Sequence, residues 1–330
     1  MPDIPFLLIG VIVLATGFGV ANGFNDAANA IATVIGTRTL SPRAAVVMAA
    51  LFSFFGATTG TAVAVTIGKG IVAPELLSIQ MVLAGTVPII VWAVVASYYG
   101  MPISTTHGLV GGLIGAGIAM EGTGIIVWSI FGKVLAAIVI SPVLGFLGAF
   151  FGMGVVLRLF RNITPEKGRT VFSRLQIVSA AFLAYSHGKN NGQIPLGLIC
   201  MGLMACSIGA EFVIPWWAVL LSAASISFGM AVGGGKVIKT VGLQMTTLRP
   251  VHGFVAETAA ATVVECASAL GIPVSTTHCS SSAVIGVGAS RRLSAVKWGI
   301  AQKIMLAWIF TLPACIAIGW ILGIIIMQIM

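Results

Sequence analysis

Apolar stretches as long as a bilayer is thick follow one another along this chain, at residues 4–21, 44–67, 80–99, 125–159, 216–235, 254–270 and 295–330. A helix needs about 20 predominantly apolar residues to cross the hydrocarbon core, and backbone groups inside that core must be paired within the chain. The fold class that follows is an all-α, polytopic membrane protein, multi-pass in a cell (inner) membrane. Composition agrees, with 58% of residues apolar and only 8% charged, and a mean hydropathy of +1.10. Forty-one glycines among the 330 residues suit close helix packing, so one bundle is a better unit than two soluble domains.

Within these stretches one hexapeptide occurs twice. Pro102-Ile103-Ser104-Thr105-Thr106-His107 returns 171 positions later as Pro273-Val274-Ser275-Thr276-Thr277-His278, and Gly100 and Gly271 stand two residues before the prolines. Proline removes a donor and keeps the preceding residue out of the helical region, so each copy ends one helix and opens another inside the membrane. A helix N-terminus exposed there carries unpaired N–H groups and the positive end of a dipole, which attract anions. The small-residue run at 108–119 is too short for a full crossing and reads as a re-entrant half-helix. The alternative for one copy alone is that its hydroxyls bond carbonyls a turn back. Recurrence in the same context favours a site.

Asn22, Asn25, Asp26, Asn29 and Thr33 step by three or four and share one helical face. An ionisable group in a membrane segment marks a pathway and needs a partner. The run His187-Gly188-Lys189-Asn190-Asn191-Gly192-Gln193 corresponds to it in the second half, and Phe228-Gly229 and Gly233 echo Phe55-Gly56 and Gly60. Three matches in one order predict a duplication: a first transmembrane repeat at 1–157, a basic cytoplasmic connecting loop at 158–174 and a second repeat at 175–330. The Asn-rich runs are expected to break their helices. The 125–159 stretch is too long for one helix and should break near Ser141-Pro142.

Net charge is +9, but the basic residues are scattered over short connections without a basic helix or aromatic interleaving. A positive-inside bias explains them, and nucleic acid is not a partner; the basic residues near 158–174 also suit anionic lipid heads. Cys200, Cys206, Cys266, Cys279 and Cys315 lack metal-ligand spacing and read as reduced packing residues. Gly233-Gly234-Gly235-Lys236 resembles a phosphate-cradling loop, but Met230 and Val237 replace the glycine and hydroxyl that such a loop requires.

Two repeats bearing broken helices and half-helices match the way secondary transporters bring substrate and ions to the bilayer midplane. With an odd number of crossings in each half, the repeats are inverted and the bundle rocks around a shared pocket. Ser104, Thr105, Thr106, Ser275, Thr276 and Thr277, with Asn25 and Asn190, offer donors in a roughly tetrahedral set, suited to phosphate or sulfate. Asp26 repels either anion unless a cation lies between them. Asn22, Asn25, Asp26, Asn190, Asn191 and Gln193 supply hard oxygen ligands, which points to co-transported sodium, with no prosthetic group. Phosphate is favoured over sulfate because it still carries a proton to donate to a carboxylate. His107 and His278 are read as helix bridges or as anion and proton carriers, Lys189 as peripheral, and Glu257 as a third ion ligand or a partner of Arg249 or His252. A homo-oligomer is left open.

Taken together, the paired motifs Gly23-Phe24-Asn25-Asp26-Ala27-Ala28-Asn29 and His187-Gly188-Lys189-Asn190-Asn191, with the two Pro-x-Ser-Thr-Thr-His motifs, resemble the inorganic phosphate transporter (PiT) family over essentially the whole chain. The resemblance implies cation-coupled phosphate uptake, inverted repeats and a cytoplasmic central loop. One position departs from it: the second motif in that family usually reads Asn-Asp, and position 191 here is Asn, which removes one negative charge from the ion site. The alternatives are a proton-coupled phosphate or sulfate permease, a passive anion channel and, from another class, an intramembrane serine hydrolase using Ser104 or Ser275 with His107 or His278 and Asp26.

Overall fold

The apolar stretches pair their backbone groups by folding into helices throughout. A computed structural model describes residues 4–206 and 212–329; Met330, which closes the last predicted span, lies outside them, as do residues 1–3 and 207–211 of the predicted repeats. In chain order the helices are α1 (Ile4–Gly36), α2 (Pro42–Thr58), α3 (Ala62–Gly70), α4 (Ile79–Tyr99), α5 (Thr105–Glu121), α6 (Trp128–Leu159), α7 (Pro165–Asn191), α8 (Gln193–Cys206), α9 (Trp216–Val232), α10 (Gly235–Lys239), α11 (Pro250–Ala269), α12 (Thr276–Arg291) and α13 (Trp298–Ile329). Among the described residues α1, α4, α6 and α13 are long and apolar enough to cross a membrane. Two further pairs qualify together, α2 with α3, bent by 67°, and α9 with Gly235–Gln244, bent by 64°.

Element order repeats. A long first helix, a bent pair, a helix capped by glycine, a half-helix and a 32-residue helix appear once as α1 to α6 and again as α7 to α13. Packing crosses between the sets reciprocally: α5 lies on α13 and α12 on α6, while α1 lies on α9 and α7 on α2. The crossings use matched glycines. A methyl group on Gly23 would collide with the Ile226 carbonyl, and one on Gly229 with that of Val20; Gly56 and Gly188 stand in the same relation to Tyr185 and Ser53. Side chains there would force the helices apart, so these positions set the interaxial distance.

Three expectations are corrected. The Asn-rich run does not break α1, which continues through it to Gly36, and in the second half only Gly192 separates α7 from α8. The Asn side chains bond to neighbouring helices and leave the backbone ladder intact; the real breaks lie at 59–61 and 233–234. Nor does Pro142 divide α6, a continuous helix of 32 residues. The proline costs one ladder bond, which membrane helices tolerate, and the Ser141 hydroxyl donates to the Ala137 carbonyl at 2.7 Å. At about 1.5 Å per residue this helix is longer than the hydrocarbon core and reaches past it. The stretch at 158–174 is mostly helix: α6 runs to Leu159 and α7 starts at Pro165, a residue suited to the first helical position. Its arginines and lysine therefore sit largely on helix ends.

Candidate functional site

Each duplicated hexapeptide lies between a glycine cap and a half-helix. Gly100 and Gly271 adopt φ of +70° and +67°, the left-handed region that disfavours side chains. The Gly100 N–H donates to the Ser97 carbonyl at 3.1 Å and that of Met101 to Ala96 at 2.9 Å; Gly271 and Ile272 repeat this with Ser268 and Ala267 at 3.0 and 2.9 Å. These bonds end α4 and α11, and the chain runs extended through Pro102 and Pro273 before turning back. Ser104 and Ser275 then cap α5 and α12, accepting from the His107 and His278 N–H groups at 3.3 and 3.1 Å. The N–H groups of Thr105, Thr106, Thr276 and Thr277, in the first turns, have no partner on their own helices.

Asn25 and Asn190 fix where these turns stand. The Asn25 amide donates to Ser97 Oγ at 2.7 Å and to the Met101 carbonyl at 3.4 Å, and the Ile103 N–H donates to its Oδ1 at 3.3 Å. Asn190 makes the same pair of bonds, to Ser268 Oγ at 2.9 Å and to the Ile272 carbonyl at 3.5 Å. Both carboxamides were expected among the anion and cation ligands; their bonds tie α1 and α7 to the extended segments and position the half-helices, while Asn190 Oδ1 stays buried without a partner.

What the half-helices meet is Asp26, buried to 1% exposure. Thr277 Oγ1 donates to its Oδ1 at 2.8 Å. On Oδ2 converge Asn191 Nδ2 at 2.6 Å, Thr276 Oγ1 at 3.4 Å and Thr105 Oγ1 at 3.5 Å, and His187 Nε2 stands 3.5 Å away. Asn22 Oδ1 accepts from Thr105 Oγ1 at 3.0 Å and from Asn191 Nδ2 at 3.3 Å. Asn29 donates to Thr277 Oγ1 at 2.8 Å and accepts from Ser280 Oγ at 3.2 Å. A lone buried carboxylate is costly, and five polar contacts offset that cost.

Polar atoms remain without partners around this carboxylate. Asn22 Nδ2, Thr106 Oγ1 and Asn191 Oδ1 are buried and bonded to nothing. Two donors and an acceptor, with four half-helix N–H groups, form a buried polar cluster whose hydrogen-bonding capacity is unfilled by protein. Since buried polar groups are normally paired, the cluster has the hydrogen-bonding chemistry to take a polar guest.

Of the sequence-selected residues, Asn22, Asp26, Thr105, Asn191, Thr276 and Thr277 come together, with Thr106 unpartnered and Ser104 and Ser275 holding the helix starts. Gln193 does not join them. Its Oε1 accepts from the Val63 and Ala64 N–H groups at 2.9 and 3.2 Å, capping α3, so its expected place as a cation ligand is corrected. The reason is the bend after α2, which leaves the α3 N–H groups needing an acceptor. Lys189 pairs with Glu265, away from the carboxylate. Glu257, 1% exposed, meets neither Arg249 nor His252; it accepts from Thr33 Oγ1 at 2.5 Å, Gln176 Nε2 at 3.0 Å and Ser179 Oγ. The His107 and His278 rings meet edge to face, centroids 5.0 Å apart, and Trp308 stacks on His278 at 4.1 Å. Neither imidazole bonds a serine, which leaves Ser104 and Ser275 without a base.

Sequence reasoning did not assign Asn29, His187, Ser97, Ser268 or Ser280 to the site. Asn29 was visible on the predicted stripe. Ser97 and Ser268 have the same 171-residue separation as the hexapeptides, a signal that a search for paired serines would find.

Comparison with known proteins places this arrangement. Residues 22–319 match the sequence profile of the Phosphate transporter family. The chain is similar to a "Probable low-affinity inorganic phosphate transporter" of Rhizobium meliloti (strain 1021), 43% identical over 315 residues, covering 95% of this chain and 94% of that protein. A protein of the same description from Bacillus subtilis (strain 168) is 38% identical over 316 residues, covering 95% of each. Among solved structures, one described as "The sodium-dependent phosphate transporter" matches with a TM-score of 0.90 at 29% identity, covering 98% of this chain and 100% of that one.

Proposed function

The chain belongs to the phosphate transporter family, a multi-pass membrane transporter and not an enzyme; from that premise we propose that it carries inorganic phosphate together with sodium by alternating access. The observation that carries this reading is the meeting of two half-helix N-termini with one buried carboxylate. Donors from Thr105, Thr106, Thr276 and Thr277 suit the phosphate oxygens, and Asn22 Nδ2 adds another. Asn191 Oδ1, buried and unpartnered, accepts the proton that phosphate still carries near neutral pH, which sulfate lacks.

Asp26 opposes an anion at this distance, so a cation must enter with it. Carboxylate, carboxamide and hydroxyl oxygens of Asp26, Asn22 and Thr277 are hard ligands suited to sodium, and a solved relative is described as sodium-dependent. Glu257, with Thr33, Gln176 and Ser179 around it, offers a second oxygen cluster for a coupling ion. The reciprocal packing of α5 on α13 and α12 on α6 supports two inverted repeats that rock around the shared site.

Radiolabelled phosphate uptake into proteoliposomes tests this. Uptake should be concentrative only under an inward sodium gradient and should be lost in Asp26→Asn. The contact of His187 with Asp26 at 3.5 Å favours one other reading, in which this pair carries a proton; uptake that ignores sodium and follows a pH gradient would select it and reject sodium coupling.

A further inference from the structure

A second pocket lies where the halves of the chain join, away from Asp26. The end of α6, the connection at 160–164, the first turns of α7 and the start of α11 enclose a cavity of about 580 Å³, with Arg161, Arg169 and Arg249 on its lining. All three arginines are exposed. Among the described residues no carboxylate lies within ion-pair distance of them, since the two ion pairs found are His187 with Asp26 and Lys189 with Glu265. Three guanidinium groups around one cavity repel one another and call for an anion, and their planar forks fit phosphate oxygens.

Apart from Thr37 and Thr164, the side chains on the rest of the lining are apolar. Phe160 and Phe172 meet edge to face, centroids 5.0 Å apart, and Leu157, on the last turn of a membrane helix, is 55% exposed. Its exposure at the end of a span long and apolar enough to cross a membrane opens this part of the lining to acyl chains. A free phosphate would leave it wet. A molecule with a phosphate head and a hydrocarbon tail satisfies both parts at once.

We infer that this cavity binds one anionic phospholipid, its head phosphate on Arg161, Arg169 and Arg249 and the start of its tail against Leu157 and Phe160. The site reaches the transport machinery. Thr37 lines the same cavity and donates to Gln176 Oε1 at 2.8 Å, and Gln176 Nε2 bonds Glu257 at 3.0 Å. An occupant therefore bears on the ends of α1 and α6 and the starts of α7 and α11 together, and transport responds to the charge of the surrounding lipid.

The test uses the full chain in two readouts. Purified protein exchanged into vesicles of phosphatidylcholine with phosphatidylglycerol should retain bound phosphatidylglycerol in native mass spectrometry. With each basic residue contributing about a fivefold effect, R161Q/R169Q/R249Q should weaken that retention about a hundredfold. Uptake by the unaltered chain should rise when phosphatidylglycerol replaces phosphatidylcholine, and the triple variant should keep the phosphatidylcholine rate without the rise. Glycerophosphoglycerol, the head without its tails, should not displace the lipid. Equal retention by the two chains, or displacement by the free head or by inorganic phosphate, overturns the proposal. A variant that fails to fold is recognised by its elution profile, and Arg161→Gln alone, on the exposed connection, then carries the same measurement with about a fivefold effect.

Discussion

At the scale of single residues the decisive feature is one carboxylate among neutral partners. Asn191 stands at 2.6 Å from Asp26, where the family pattern puts a second acid. Restoring it with Asn191→Asp would set two carboxylates side by side, which is tolerable only with a proton or cation between them. That variant should need less sodium for half-maximal uptake and show a steeper sodium dependence, read from a sodium titration of the transport rate. Thr105→Val removes a buried donor to Asn22 while keeping shape, and a net hydrogen bond of about 1 kcal/mol predicts roughly fivefold weaker phosphate binding by calorimetry. Thr276→Val should act alike. The types in this cluster were legible in the sequence because ionisable and amide groups are conspicuous among apolar ones. Which of them face the guest was not. Asn25 and Asn190 carry the same carboxamide as Asn22, and only the position of Ser97 and Ser268 across the bundle turns them into tethers.

Elements are governed by how the chain turns inside the membrane. Gly100→Ala and Gly271→Ala each put a side chain where φ is near +70°, at a cost of about 1 to 2 kcal/mol. Both should lower the melting temperature in detergent and loosen the half-helix start, seen as faster amide exchange at residues 101–106 or 272–277. Gly-x-Pro announced these turns, since proline stops a helix by local chemistry alone. The uninterrupted course of α6 through Pro142 was not announced by the same chemistry. There a neighbouring hydroxyl and flanking helices hold the backbone, and local sequence does not reveal neighbours. Gly23→Leu or Gly229→Leu should separate α1 from α9 and reduce folded yield, because each meets a backbone carbonyl at the crossing.

For the whole molecule, duplication was legible as spacing, and the exchange of partners between halves was not, since contacts such as α5 on α13 link positions some 200 residues apart. The proposed inversion of the repeats makes a direct forecast. Glu121 and Arg291, at the C-terminal ends of α5 and α12, should open on opposite sides of the membrane. In a chain whose exposed Cys266 is replaced by Ala, Glu121→Cys and Arg291→Cys should each react with an impermeant thiol reagent from one side only, and from different sides. Labelling of both from one side would leave the repeats parallel.

The two halves match in their turns, caps and glycine crossings, yet not in charge: Asp26 faces Asn191, and Asn22 has His187 as its counterpart. A carrier built from true mirror images would hold its cargo equally well whichever doorway stood open. In the sodium-coupled reading proposed above, the acid is anchored to α1 alone, so a doorway that frees α1 first would loosen the cation before the anion. Grip on cargo should therefore differ between the two faces of the membrane, so that half-saturation from one side differs from that at the other, while net flow still vanishes where no gradient drives it.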